Sequence, residues 1–342
     1  MRHGSTQRSD FLHLFLCVAA CRVGISGRLT LLVVGLAALI GGCQATPTPR
    51  EAFDAARPPQ SCPTFDTASG APITWDELLL RVRAADAVFL GETHDDAAAH
   101  KAQHALVTAF LGAHPNGAVG LEMLERDDQE EVDAYLAGQM TLDEFIDGTK
   151  SRDWAGKDSW LPWYQPSIDA ARVSGGKVIA ANAPRKYVSQ AFREGTDGLR
   201  ALPPEERTLF DADGAITRDG DWDRLRELMV EMRSDAAQGE DARAEPPTDE
   251  EVDAVHRSQR VWDLTMATSL ARAWKSGTPF IHLVGAFHVQ RRLGTAAIFV
   301  RLCPEARVLI VQLDPSETLP PKSEWSAGAD VTVMTKAPAT DQ

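Results

Sequence analysis

Five short apolar runs punctuate the chain: Ala87–Leu90 (AVFL), Ala118–Leu121 (AVGL), Lys177–Ala181 (KVIAA), Phe280–Val284 (FIHLV) and Arg307–Gln312 (RVLIVQ). Each is continuous rather than alternating, the pattern of a strand covered on both faces. Between them, apolar positions recur at helical spacing in Ala97–Leu111, Gln129–Leu136, Ser167–Ser174 and Val255–Lys275. Strand and helix alternate, which predicts a three-layer α/β domain around a mainly parallel central sheet. Residues 197–253 break the rhythm with LPPEE, a helical patch DWDRLRELMVEMRS and the charged run AAQGEDARAEPPTDEE. This stretch reads as a helical insertion, either capping the sheet edge or lying at the periphery without a functional part. Its Met229 and Met232 have the spacing of core methionines.

In an open α/β sheet, ligands bind outside the carboxyl ends of the strands. The first run leads into Gly91-Glu92-Thr93-His94-Asp95, the second into Glu122, the third into Asn182, and the fourth into Gly285 and His288. GETH and GAFH share the pattern Gly-x-x-His, and neighbouring parallel strands would deliver both histidines to one edge. Any one of these residues is compatible with a cap or a salt bridge. Four of them, Glu92, His94, Glu122 and His288, at the ends of successive strands argue for a shared catalytic or ligand-binding site. His100 and His104 stand four apart on one helix face. His104 aligns with Val107 and Leu111 as a core histidine, and His100 is left between core and site. His282 within a strand and His114 in a turn read as structural.

Two chemistries suit this set. Mixed carboxylate and imidazole ligands suit a divalent metal such as Mn, Fe, Co or Zn, with Glu92, His94 and His288 converging at about 2.0–2.2 Å from the ion. Without a metal, a glutamate held near a histidine activates water by general-base catalysis. The chain has neither the HExxH helix of zinc peptidases nor the Gly-x-Ser-x-Gly elbow of serine hydrolases.

Composition narrows the partners. The chain has 342 residues and a net charge of −14, without a basic run, which argues against nucleic-acid binding. Arg22 and Arg28 precede the apolar run LTLLVVGLAALI, which ends in Ile40-Gly41-Gly42-Cys43. Twelve apolar residues are too few to span a bilayer, and small residues before the cysteine suit cleavage. The segment resembles a bacterial lipoprotein signal covering residues 1–42, with Cys43 as the lipidated residue. Gln44 rather than Asp follows, which implies the outer membrane in a Gram-negative cell envelope. A second apolar patch, FLHLFLCVAAC, lengthens the leader, and a translation start at Val23 would leave one of ordinary length. Residues 43–71 then read as a flexible tether, 72–315 as the folded domain and 316–342 as a tail. Cys62 and Cys303 are the thiols of the body, and in an oxidising compartment they are expected to form a disulfide.

The stretches VFLGETHDDAAAHKAQHALV, VGLEMLERDDQ, SQRVWDLTMATSLA and HLVGAFHVQRRLG resemble the ChaN family. These are bacterial lipoproteins associated with haem-iron uptake, in a superfamily shared with Tiki proteases and, more distantly, erythromycin esterases. The resemblance covers residues 72–315 apart from the insertion. It implies a parallel-sheet core with Glu92, His94, Glu122 and His288 at its edge. Gln259, Asp263 and Met266 match a further family signature, and Arg260 beside them would supply a cation facing the carboxylates or merely pack. The resemblance also implies haem as the ligand, held by one copy or between two in a homodimer. The residue pattern by itself favours metal binding or hydrolysis, as in a Tiki-like peptidase or an esterase.

A haem needs an axial ligand and an apolar slot. The tyrosines are Tyr135, Tyr164 and Tyr187. Asp153–Pro166 (DWAGKDSWLPWYQP) holds Trp154, Trp160, Trp163 and Tyr164, so Trp163 and Tyr164 would wall a haem pocket, or else these rings bury themselves at the start of a helix.

Each acyl CH₂ in a bilayer contributes roughly 0.8 kcal/mol, so two or more chains anchor stably. The Cys43→Ala chain should therefore remain unlipidated, and its recovery in membrane-bound, acylated form would refute the lipobox.

Overall fold

A computed structural model describes residues 62–213, 217–236, 245–316 and 328–336. The leader, Cys43 and the tether up to residue 61 lie outside them. The strands are β1 (Thr64–Asp66), β2 (Pro72–Ile73), β3 (Ala87–Glu92), β4 (Ala118–Glu125), β5 (Lys177–Asn182), β6 (Phe280–Gly285), β7 (Val308–Asp314) and β8 (Val331–Met334). They form one sheet in the order β2-β1-β8-β7-β3-β6-β4-β5. β3 to β8 pair in parallel, and β1 runs antiparallel to both β8 and β2. All five expected strands are present, and each parallel strand is buried along most of its length.

The helices are α1 (Trp75–Ala84), α2 (Ala97–Ala113), α3 (Gln129–Leu136), α4 (Leu142–Gly148), α5 (Trp160–Trp163), α6 (Gln165–Ser174), α7 (Arg185–Glu194), α8 (Asp197–Arg200), α9 (Gly220–Ala236), α10 (Asp249–Lys275) and α11 (Gly294–Leu302). The pleat sorts them into two layers, because successive strand residues point to opposite faces. Val88 and Leu90 pack with Leu78 of α1, Leu106 of α2 and Ile168 of α6. Phe89, between them, packs with Val188 of α7, Met266 of α10 and Phe299 of α11. The insertion contributes α9, whose Trp222, Leu225 and Met229 form a third cluster with Val252 and Val255 of α10, and Phe287 packs against it. Met229 and Met232 are thus packing residues of this cluster.

Three expectations are corrected. The folded domain begins before residue 72, since β1 lies inside the expected tether, and β8 lies inside the expected tail. β1, β2 and β8 have two to four residues each, too few to carry a periodic signal. Cys62 and Cys303 form no disulfide. Cys62 belongs to the core on one face of the sheet and Cys303 to the core on the other, whereas a bridge needs Cα atoms within about 7 Å. Among the described residues, no helix is long and apolar enough to cross a membrane.

The two-core placement makes a specific thiol prediction. Unfolded without reductant, the protein should take up alkylating reagent at both Cys62 and Cys303; protection of the two until reduction would restore the bridge.

Candidate functional site

β6 lies between β3 and β4, and its last residue organises the carboxyl edge. Gly285 pairs in register with Glu92 of β3, and Leu283 with Leu121 of β4. A Cβ on Gly285 would sit 3.1 Å from the His94 ring and 3.4 Å from Glu122 Oε2. The first distance is tighter than most Cβ contacts and the second is ordinary van der Waals contact, so glycine permits the close approach of the His94 ring. The Gly285 N–H donates to Glu122 Oε2 at 2.6 Å. β4 carries a register irregularity between Leu121 and Glu125, the kind of bulge that re-aims a side chain at a site. Asn182 at the end of β5 braces this stretch, its Nδ2 donating to the Glu122 carbonyl at 3.0 Å.

Glu92 is fully buried on the α2 side and collects donors. His94 Nδ1 lies 2.9 Å from Oε1, the Tyr164 hydroxyl donates to Oε1 at 3.0 Å, and Gln103 Nε2 donates to Oε2. His100 Nδ1 stands 3.5 Å from Oε2. Both ring nitrogens of His100 lie within hydrogen-bond distance of oxygens, Gln103 Oε1 at 2.9 Å and the His94 carbonyl at 3.0 Å. Burial alone would raise the Glu92 pKa, but His100 and His94, followed by the Tyr164 hydrogen bond, hold it below the ordinary value. The carboxylate is therefore ionised, and His94 is presented with its Nδ1 fixed. Trp154 meets the His94 ring edge to face, with centroids 4.7 Å apart.

A second pair occupies the α10 side. His288 Nδ1 is 2.7 Å from Asp263 Oδ1, which also accepts the Thr295 hydroxyl at 2.7 Å. His288 Nε2 stands 3.5 Å from Glu122 Oε1. Burial works against a charge on His288, yet Asp263 and then Glu122 raise its pKa above the ordinary value. Asp263 is likewise held down by His288 against the effect of burial. The GETH and GAFH histidines thus belong to two carboxylate–imidazole pairs that flank Gly285. Such pairs can take up or release a proton, or offer an oriented imidazole to iron.

The site differs from expectation in four respects. Glu92, His94 and His288 do not converge on a metal position, and among the described residues no group of three or more His, Cys, Asp or Glu is arranged to hold one. The pleat sends Glu92 toward α2, whereas Asp263 draws His288 toward α10. Tyr164 and Trp163 wall no haem pocket: both are buried, Tyr164 as a donor to Glu92 and Trp163 stacked on His100 at 4.6 Å. Arg260 does not face Glu92 or Glu122, because Asp213 captures its Nη2 at 2.6 Å. His100, left open above, is part of the site. His104 is outside it, half-buried, with its pKa lowered by burial.

Sequence reasoning missed Gln103, whose spacing of three from His100 on a buried helix face is a readable signal. It also missed Asp221 and Arg224 of α9. Asp221 Oδ1 accepts the Gly294 N–H at 2.9 Å, and Arg224 donates to the Gln290 carbonyl at 3.2 Å. The insertion therefore grips the loop that follows His288.

The second pair carries a pH signature. Asp263 is lowered and His288 raised, so both are charged between their folded pKa values, one below 3.8 and the other above 6.5. The stabilisation from His288 is complete below 6.5 and is lost as pH rises through its folded pKa; that from Asp263 is lost as pH falls through its own. Asp263→Asn should cost about 3 kcal/mol near pH 5.5, with a deficit that shrinks in alkali. Urea unfolding across pH checks this, and a deficit constant from acid to alkali would contradict the pairing.

Residues 78–298 match the family described as haem-binding uptake, Tiki superfamily, ChaN. No curated protein matches the chain in sequence. Among solved structures, "Cofacial heme binding to ChaN of Campylobacter jejuni" is similar with a TM-score of 0.58 at 17% identity, covering 81% of this chain and 97% of that one. A mutant erythromycin esterase in its open conformation matches with a TM-score of 0.38 at 14% identity, over 77% of this chain and 79% of that one. The type III effector HopBA1 matches with a TM-score of 0.41 at 12% identity, over 82% and 97%. The last two scores are too low to carry an argument, but the family match spans well over half the chain and both Gly-x-x-His motifs, so this chain belongs to the ChaN family of the Tiki superfamily.

Proposed function

We propose that this chain binds haem at the carboxyl edge of its sheet and, anchored through Cys43 in the cell envelope, serves haem-iron uptake. The family match supports haem as the ligand, and the Campylobacter relative is described as binding it. The observation that carries the reading to a residue is the Glu92-held imidazole of His94 beside Trp154. Axial ligands are His, Tyr, Met or Cys. The hydroxyls of Tyr135, Tyr164 and Tyr187 donate to Asp169, Glu92 and Glu206, and all three rings are buried. Both cysteines and Met229 lie in cores. His94 stands at the edge, and a carboxylate on one imidazole nitrogen fixes the tautomer and raises the basicity of the other. The donor set therefore fits haem iron, which would supply the absorbing and redox-active centre. Glu92, His100, Gln103 and Tyr164 orient the ligand that holds it.

The His288–Asp263 pair facing Glu122 favours a second reading, hydrolysis of an ester or peptide bond with His288 as the base for water.

Haemin titration of the soluble Cys43→Ala chain tests the first reading. Saturable binding with a shifted Soret band is expected, lost in His94→Ala and kept in Tyr164→Phe and His288→Ala; sedimentation with and without haemin shows whether two copies share it. Absence of saturable binding overturns the haem reading, and His288-dependent cleavage of a p-nitrophenyl ester would then carry the second.

A further inference from the structure

Beside Asp263, the buried face of α10 holds polar residues that neither imidazole pair uses. His256, Gln259 and Arg260 recur with it at helical spacing, and Arg224 reaches in from α9. Several of their buried atoms have no hydrogen-bond partner among the described residues: Arg224 Nε, Arg260 Nη1, Gln259 Oε1 and both ring nitrogens of His256. Natural interiors satisfy nearly all buried polar atoms, and each failure costs about 1–3 kcal/mol, more for a charged group. While Gln259 Oε1 calls for a donor such as a hydroxyl or water, two of these atoms, Arg224 Nε and Arg260 Nη1, are guanidinium donors that call for an acceptor.

The cations are held ready for one. The Arg224 side chain is 7% exposed, stacks over Phe287 at 4.0 Å, and spends its other nitrogens on the Gln290 carbonyl and Asp221 Oδ1. Among the described residues, Arg260 makes its ion pair with Asp213, whose side chain is 43% exposed. An ion pair with so exposed a carboxylate is weak and readily exchanged. The neighbouring acids do not forbid an anion. Asp263 is paired with His288, and Asp221 Oδ1 is taken up by Arg224 and the Gly294 N–H.

We propose that Arg224 and Arg260 form a carboxylate-binding subsite beside His288, between the insertion and α10. Its occupant is either a haem propionate, which rests on the haem reading above, or a small free carboxylate. Guanidinium groups suit this class because their N–H fork matches the two oxygens of a carboxylate.

The test uses haemin, haemin dimethyl ester and succinate on the Cys43→Ala chain. Haemin should bind at least about tenfold more tightly than its ester, as expected for a hydrogen bond to a charged group. Arg260→Gln or Arg224→Lys, with far-ultraviolet circular dichroism unchanged, should bind the two alike. That result identifies a propionate. If wild type does not discriminate, but succinate raises its melting temperature and not that of Arg260→Gln, the occupant is a free carboxylate and the subsite stands. If haemin fails to bind, the haem reading falls, and the succinate comparison alone decides the subsite. Discrimination that survives both substitutions overturns the proposal, as does the absence of any succinate shift where discrimination is absent or haemin does not bind.

Discussion

Close approach at Gly285 is the constraint on which the carboxyl edge depends. The main chain of β6 passes between two side-chain systems that touch it from either side, the His94 ring and the Glu122 carboxylate. With a Cβ there, the His94 ring would have to give by a few tenths of an ångström, and the hydrogen bonds behind it would have to follow. Behind the ring stand Glu92, His100, Gln103 and Tyr164; behind Glu122 stand His288, Asp263 and Thr295. A single missing methyl group thus lets two charged networks on opposite faces of a sheet meet at its rim.

Burying so many ionisable groups is costly unless each finds an opposite charge or a full set of hydrogen bonds. Glu92 meets the second condition with three donors and the first with His100. Asp263 does the same with His288 and Thr295. The insertion enters this balance: its Asp221 and Arg224 bind the backbone of the loop after His288, where Arg291 and Arg292 have φ of 56° and 55°. Left-handed backbone at two consecutive non-glycine residues is strained. α9 therefore helps hold a strained turn whose geometry orients an imidazole, which is a more intimate role than covering an edge.

The central fold was legible because buried parallel strands are long, continuous apolar runs and because the polar residues fall at their ends. β1, β2 and β8 were not, since pairs such as Pro72–Ile73 have no periodicity to read. The start of α10 was readable and overlooked: Thr248 and Glu251 form a reciprocal cap, the Thr-x-x-Glu signature that places the helix start several residues before Val255. At the site, Glu92, His94, Glu122 and His288 could be found in the sequence because each follows a continuous apolar run: Glu92 ends β3, His94 and His288 lie just beyond their strands, and Glu122 stands at the irregularity of β4. The wrong metal grouping came from neglecting the pleat, which alternates faces even at the last residue of a strand. Arg224 lies between Trp222 and Leu225 in a helix rich in charges, and nothing local distinguishes it from a solvated arginine.

β1 runs opposite to the strands beside it. Its first residue, Thr64, pairs with Val333 near the end of β8, and the Pro63 carbonyl accepts the Met334 N–H. Residue 62 therefore stands at the rim that bears the histidines, not at the far rim. If an acyl chain is attached at Cys43, the nineteen intervening peptide units limit its reach to about 65 Å. A reach of that order would let the rim with the histidines approach a lipid surface without fixing the domain's orientation to it.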